Sequence, residues 1–155
     1  MSASAETLGV TALCCCVLLS LIAVWTDVKH REVPHWIVGS LVFLWVLTAA
    51  LAPEALNGEP LMGIVCGAAA FVVGFCLHAL GWLGGGDGKL LAALAMWLGP
   101  ADLGLALLAT GLFGLLLALP ALLRISRAFR DRGIPYACAI APPAATILAL
   151  RAIAV

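Results

Sequence analysis

Two acidic side chains have settings that could do chemistry. Asp27 opens the run Asp27-Val28-Lys29-His30-Arg31-Glu32-Val33-Pro34-His35, and Asp87 lies in Gly84-Gly85-Gly86-Asp87-Gly88-Lys89-Leu90. Two carboxylates held close hydrolyse a peptide bond without metal or covalent intermediate. One takes a proton from water while the other, protonated, donates to the carbonyl oxygen. Like charges in proximity do not both ionise cheaply, so such a pair shares a proton. No serine–histidine–acid or cysteine–histidine arrangement competes, because the cysteines lie inside apolar runs and the serines cluster near spans or the terminus.

Each aspartate alone also has a plainer reading. Asp27 at a helix end is a boundary charge, and Asp87 after glycines is a cap for the helix that follows. Four glycines in five positions give the backbone access to unusual dihedrals and let another chain come close. A phosphate cradle is excluded, since Lys89 is followed by Leu90 rather than by Ser or Thr. Helix dipoles suggest a division of labour in which Asp27, at a helix C-terminus, starts as the acid. Asp87, at a helix N-terminus, starts as the base, with Lys29 and Lys89 able to reverse the bias.

The elements that must position these groups follow from composition. The chain has 155 residues, 65% hydrophobic and 10% charged, with mean hydropathy +1.17. A soluble domain of this size needs more polar residues to cover its surface. Net charge is zero, so no basic field attracts nucleic acid. The six cysteines show no C-x-x-C spacing. Cys14, Cys15 and Cys16 are adjacent, and Cys66, Cys76 and Cys138 sit in other apolar runs. Neither a disulfide framework nor a metal site is expected, and no cofactor. The N-terminus lacks a positive region and a small-residue cleavage site, which predicts a retained first span.

A bilayer core of about 30 Å needs about 20 apolar residues per helix. The candidates are Thr7–Thr26, Trp36–Ala52, Leu61–Leu83, the short Leu90–Leu98, Leu103–Leu123 and Tyr136–Val155. The expectation is an all-α polytopic integral membrane protein, one domain over residues 1–155, with about six transmembrane helices. With both termini outside, the inside loops hold Lys29, Arg31, Lys89, Arg124, Arg127, Arg130 and Arg132, all but one of the eight basic residues. That asymmetry satisfies the positive-inside rule and puts Asp27 and Asp87 together on the cytoplasmic side. The fourth span, Gly88–Gly99, is only about 18 Å long as a helix, so Asp87 is expected below the membrane surface. There it would occupy an irregular glycine segment in a cavity open to the cytoplasm. Arg124, Arg127 and Arg130 recur every three residues, which reads as an interfacial helical turn on anionic lipid or as a solvated topogenic loop. His78 reads as a packed or interfacial polar residue, Pro142-Pro143 as a distortion near the middle of the last helix, and Trp25, Trp36, Trp82 and Trp97 as interfacial anchors.

Three stretches in register resemble the type IV prepilin peptidase family: the run from Asp27 to Val33-Pro34, the segment Gly84-x-Gly86-Asp87 followed by Lys89-Leu90, and Ile134-Pro135-Tyr136-Ala137-Cys138-Ala139-Ile140-Ala141. His35 stands where that family commonly has Asn. The paired Cys motifs of its large, methylating members are missing, so the chain looks like the short members serving tight-adherence (Flp-type) pili, without methyltransferase activity. The resemblance implies an aspartic endopeptidase of the bacterial inner membrane with Asp27 and Asp87 as the catalytic pair. Gly84, Gly85, Gly86 and Gly88 would let the substrate backbone approach, and Lys29, Pro34, His35, Lys89, Pro135 and Tyr136 would support the site. Its substrate would be a prepilin or pseudopilin precursor with a short basic leader in the cytoplasm and an apolar helix in the lipid, cleaved at their junction, commonly after glycine. Two other classes remain open: a small transporter binding a cation or proton on its carboxylates, and a non-catalytic scaffold for pilus assembly.

Overall fold

Long apolar runs leave backbone N–H and C=O groups no partners except one another, and the chain responds with helices. The computed structural model describes residues 3–56, 60–122 and 136–154. Helix α1 spans Ala3–His30, α2 His35–Leu51, α3 Pro60–Ala79, α4 Gly85–Leu122 and α5 Ala137–Ala154, with a 3-10 turn at Pro53–Leu56. Among the described residues there is no strand. Helices α1, α3, α4 and α5 are long and apolar enough to cross a membrane, and α2 is shorter. The basic stretch with Arg124, Arg127, Arg130 and Arg132, and Pro135 after it, lies outside the described residues, as do residues 57–59 of the Pro53–Pro60 connection.

The expected span Leu90–Leu98 and the described part of Leu103–Leu123 both fall within α4, which is broken at Gly99 (φ 64°, ψ −177°). A Cβ would be strained at that φ, and Pro100 next to it has no N–H to satisfy. The chain reverses at this break. Arg151, late in α5, meets the carbonyls of Trp97 and Leu98 and the carboxylate of Asp102. By contrast, a Cβ placed on Gly114 would stand 3.8 Å from that of Ala139, early in α5. Residues 85–98 and 100–122 are therefore two antiparallel arms.

Small residues let the helices close on one another. On α3, Gly63, Gly67 and Gly74 are buried and face the first arm of α4. A Cβ on Gly63 would lie 2.7 Å from the Met96 carbonyl, and one on Gly74 would lie 2.9 Å from the Gly88 Cα. Such backbone-to-backbone approach is how apolar helices associate where no hydrophobic effect drives them together. Helix α5 buries Ala137, Ala139, Ala141, Ala144 and Ala145 and packs against both α1 and α4. It runs as one helix through Pro142 and Pro143, which lie in its second turn rather than at its middle and give no N–H to the carbonyls of Cys138 and Ala139.

Helix α2 buries Ile37, Leu41, Trp45 and Thr48, a stripe at helical spacing. Two indoles bind it to the first arm of α4. Trp45 Nε1 donates to the Met96 carbonyl (2.9 Å), and Trp97 Nε1 donates to the Leu41 carbonyl (3.1 Å). Trp97 is thus a core residue, 1% exposed, rather than an interfacial anchor, whereas Trp25, Trp36 and Trp82 are exposed. Its position near a span end is unrelated to the side it faces. The outward faces carry Phe43, Val72, Leu108 and Leu116, a surface suited to hydrocarbon.

Candidate active site

Five helix termini meet at one end of the bundle. Helix α1 finishes there with Arg31 in the left-handed region (φ 58°), its N–H bonded to the Asp27 carbonyl at 2.9 Å. A non-glycine residue in that conformation costs roughly 1 kcal/mol and is the kind of local strain that gathers at functional sites. Pro34 then holds the N-cap of α2 in an extended conformation, and its carbonyl accepts from the Ile37 N–H (3.1 Å). Helix α3 ends with Gly81 (φ 74°), where Trp82 N–H bonds to the Leu77 carbonyl and Gly81 N–H to that of His78. This paired pattern closes a helix on a left-handed glycine. His78 Nδ1 donates to the Leu83 carbonyl (3.0 Å) and so braces the turn into α4. Its imidazole has this positioning task and does not line the cavity with the two aspartates.

Asp27 sits in the last turn of α1, 4% exposed, and Asp87 in the first turn of α4, 9% exposed. Both line one cavity of about 390 Å³, together with the 31–35 connection and Gly84–Gly86. They are near enough for the charge on Asp27 to act on Asp87, and the Arg31 guanidinium acts in turn on Asp27. Asp27 Oδ2 accepts the backbone N–H of Ala137 at 3.0 Å, 110 positions along the chain. The carboxylate at the end of α1 thereby satisfies one of the free donors at the start of α5.

That contact removes the physical basis for a dipole-based division of roles. Asp27 does not feel a helix C-terminus alone, because its carboxylate touches the N-terminus of α5, and Asp87 lies at the N-terminus of α4. Both acids therefore face positive helix ends.

The glycines serve closeness rather than unusual dihedrals. Helix α4 already begins at Gly85, so Asp87 is helical and not in an irregular segment. The only positive-φ glycines among the described residues are Gly81 and Gly99. A Cβ on Gly84 would stand 2.5 Å from Asp87 Oδ2, and one on Gly86 would stand 3.2 Å from the Val33 Cβ and 3.4 Å from its carbonyl. Gly88 faces Gly74 in the α3 crossing instead of the cavity.

Of the supporting residues, Pro34 and His35 line the cavity. Lys89 Nζ lies 3.4 Å from His35 Nε2, joining the starts of α2 and α4. Lys29 points elsewhere, with its ammonium 4.8 Å from the Trp25 ring centre. Tyr136 precedes α5, and its carbonyl accepts from the Ala139 and Ile140 N–H groups. Among the described residues no three His, Cys, Asp or Glu side chains gather to hold a metal. Sequence reasoning missed the Ala137 N–H, the Trp45 and Trp97 cross-bonds, and the Arg151–Asp102 pair at the far end. Only the spacing of Gly63, Gly67 and Gly74 offered a readable signal for any of the hidden packing.

Residues 13–119 match the type IV leader peptidase family, a stretch that carries both aspartates. No curated protein and no solved structure matches the chain.

Proposed function

The chain belongs to the type IV leader peptidase family, and we propose that it is a membrane-embedded aspartic endopeptidase with Asp27 and Asp87 as its catalytic pair. It removes the leader from Flp-type prepilins and pilin-like precursors at the cytoplasmic face of the inner membrane. One observation carries the reading: two buried carboxylates, remote in sequence, line a single cavity where the glycine segment meets the 31–35 connection.

The precursor lies with its basic leader in the cytoplasm and its apolar helix in the bilayer, the scissile carbonyl between the two acids. One carboxylate takes a proton from water as the water oxygen bonds to the carbonyl carbon. The protonated partner gives its proton to the carbonyl oxygen. When the tetrahedral diol collapses, the C–N bond breaks and the leaving nitrogen takes the first proton. The diol returns the second, so the pair ends with the one shared proton it began with. Gly84 leaves room for the Asp87 carboxylate, and the Ala137 N–H fixes that of Asp27. In the membrane we assign six spans with both termini outside, the two arms of α4 serving as the fourth and fifth. This puts the seven basic residues of the inner loops in the cytoplasm.

The test is Asp27→Asn and Asp87→Asn, made separately and co-expressed in membranes with a precursor that has a basic leader and a glycine before its apolar helix. Leader removal is lost in both while the protein still inserts. Normal processing by either variant defeats the mechanism.

A further inference from the structure

Beside the cavity of the two aspartates lies a second one, of about 290 Å³, between α3 and the first arm of α4. Phe71 and Phe75, one helical turn apart on α3 and 48% and 63% exposed, form its outer wall. Its floor is the crossing of the Gly74 and Gly88 backbones together with Gly85, and His78, whose ring would stand 3.3 Å from a Cβ on Gly85, and Lys89 complete the lining. Gly85 borders both cavities, and the Lys89–His35 contact crosses the rim between them, Lys89 on one side and His35 on the other.

The two cavities differ in chemistry. Among the described residues the first carries Asp27, Glu32 and Asp87 against a single cation, Arg31, so it favours a basic or polar chain. The second is walled mainly by the Phe71 and Phe75 rings, with His78 and Lys89 as its polar groups, and opens toward the outward apolar face of α3. An extended chain advances about 3.3 Å per residue, so a peptide crossing Gly85 passes from one cavity to the other within a few residues. A lipid tail could fill an outward apolar groove, but it would have no reason to require a glycine floor continuous with a two-carboxylate cavity.

We infer that the Phe71–Phe75 groove is the subsite for the first apolar residues following the scissile bond, so that the substrate backbone crosses Gly85 with its leader side among Asp27, Glu32 and Asp87. This rests on the peptidase reading above. It makes Phe71 and Phe75 specificity-determining residues, touching the substrate on the far side of the bond from the leader.

The experiment uses the full chain in proteoliposomes with a synthetic peptide of basic leader, glycine and an apolar helix of about 20 residues. Phe71→Ala and Phe75→Ala each raise KM about tenfold for this peptide, the size of effect expected when one aromatic contact is lost. Both side chains are too exposed for truncation to unfold the protein. In an Asp87→Asn background, a photoreactive phenylalanine analogue at position 71 cross-links the peptide within the first turn after the glycine. Unchanged KM, cross-linking to lipid only, or cross-linking to the leader overturns the subsite. Those results, with cleavage still abolished by Asp27→Asn, would sink the subsite alone. Cleavage surviving the aspartate substitutions would sink the peptidase reading itself.

Discussion

Gly84→Ala isolates one distance in the site. Gly84 lies just before α4, is exposed, and does not have a left-handed φ, so alanine fits its backbone without strain. The added Cβ would stand 2.5 Å from Asp87 Oδ2 and 3.4 Å from its Cγ. Restoring ordinary contact requires the carboxylate to retreat on the order of 0.7–1 Å. A misplacement of about 1 Å in a catalytic group costs about a hundredfold in rate, or about 2.7 kcal/mol of transition-state stabilisation. The expected outcome is a fall of about a hundredfold in kcat for leader removal in proteoliposomes, with the thermal midpoint in detergent unchanged. Gly39→Ala on α2, whose Cβ would meet nothing within 4 Å, serves as the control and keeps its rate. A Gly84→Ala protein cleaving at the parental rate would show that the position of the Asp87 carboxylate does not set the chemistry, and the reasoning would be refuted.

Asp27→Asn and Asp27→Ala should both be inactive yet differ in stability. The Asn side-chain oxygen still accepts the Ala137 N–H, while Ala leaves it bare at a cost of about 1 kcal/mol, visible as a lower unfolding midpoint for Ala alone. Gly74→Val forces α3 away from Gly88 and should destabilise the fold by about 2 kcal/mol, read as loss of folded protein in a denaturant series; an unchanged midpoint would contradict the close crossing. Arg151→Met strands the Asp102 carboxylate and the Trp97 and Leu98 carbonyls, for about 2 kcal/mol. Adding Asp102→Asn should recover part of that loss in a double-mutant cycle, and strict additivity would show that the pair does not interact. Trp97→Phe removes the N–H donated to the Leu41 carbonyl and should cost about 1 kcal/mol or more, measured by the same unfolding assay.

What the sequence could convey depended on how local the governing physics was. Apolar runs are local, so α1, α2, α3 and α5 were legible to within a few residues. Charge placement between runs is local too, so the grouping of Asp27 with Asp87 followed from loop charges before any distance was known. The reversal at Gly99-Pro100 was legible as a break between two apolar runs, because glycine and proline advertise backbone behaviour by themselves. The bond from Ala137 N–H to Asp27 had no such signal. A backbone donor is present at nearly every position, and which one meets a given acid depends on a helix start 110 residues away. Trp97 failed for a related reason: an indole near a span end suits both a lipid interface and a buried carbonyl, and only α2 decides between them.

The glycines around Asp87 carry the lesson furthest. Composition says only that a Cβ is absent, and two opposite needs produce the same letter: a dihedral no other residue tolerates, or a neighbour too near for a methyl group. Gly81 and Gly99 answer the first need, while Gly84, Gly86 and Gly88 answer the second, each against a different partner: a carboxylate, the Val33 backbone and the Gly74 backbone. Since the partners of Gly86 and Gly88 belong to other elements, the packing that brings the 31–35 connection and α3 onto the start of α4 is the same packing that delivers Asp87 to Asp27. Of the two readings the glycine segment offered, unusual dihedrals and close approach, the second is the one its neighbours satisfy. Rigid placement of a carboxylate, rather than mobility around it, is what those glycines supply.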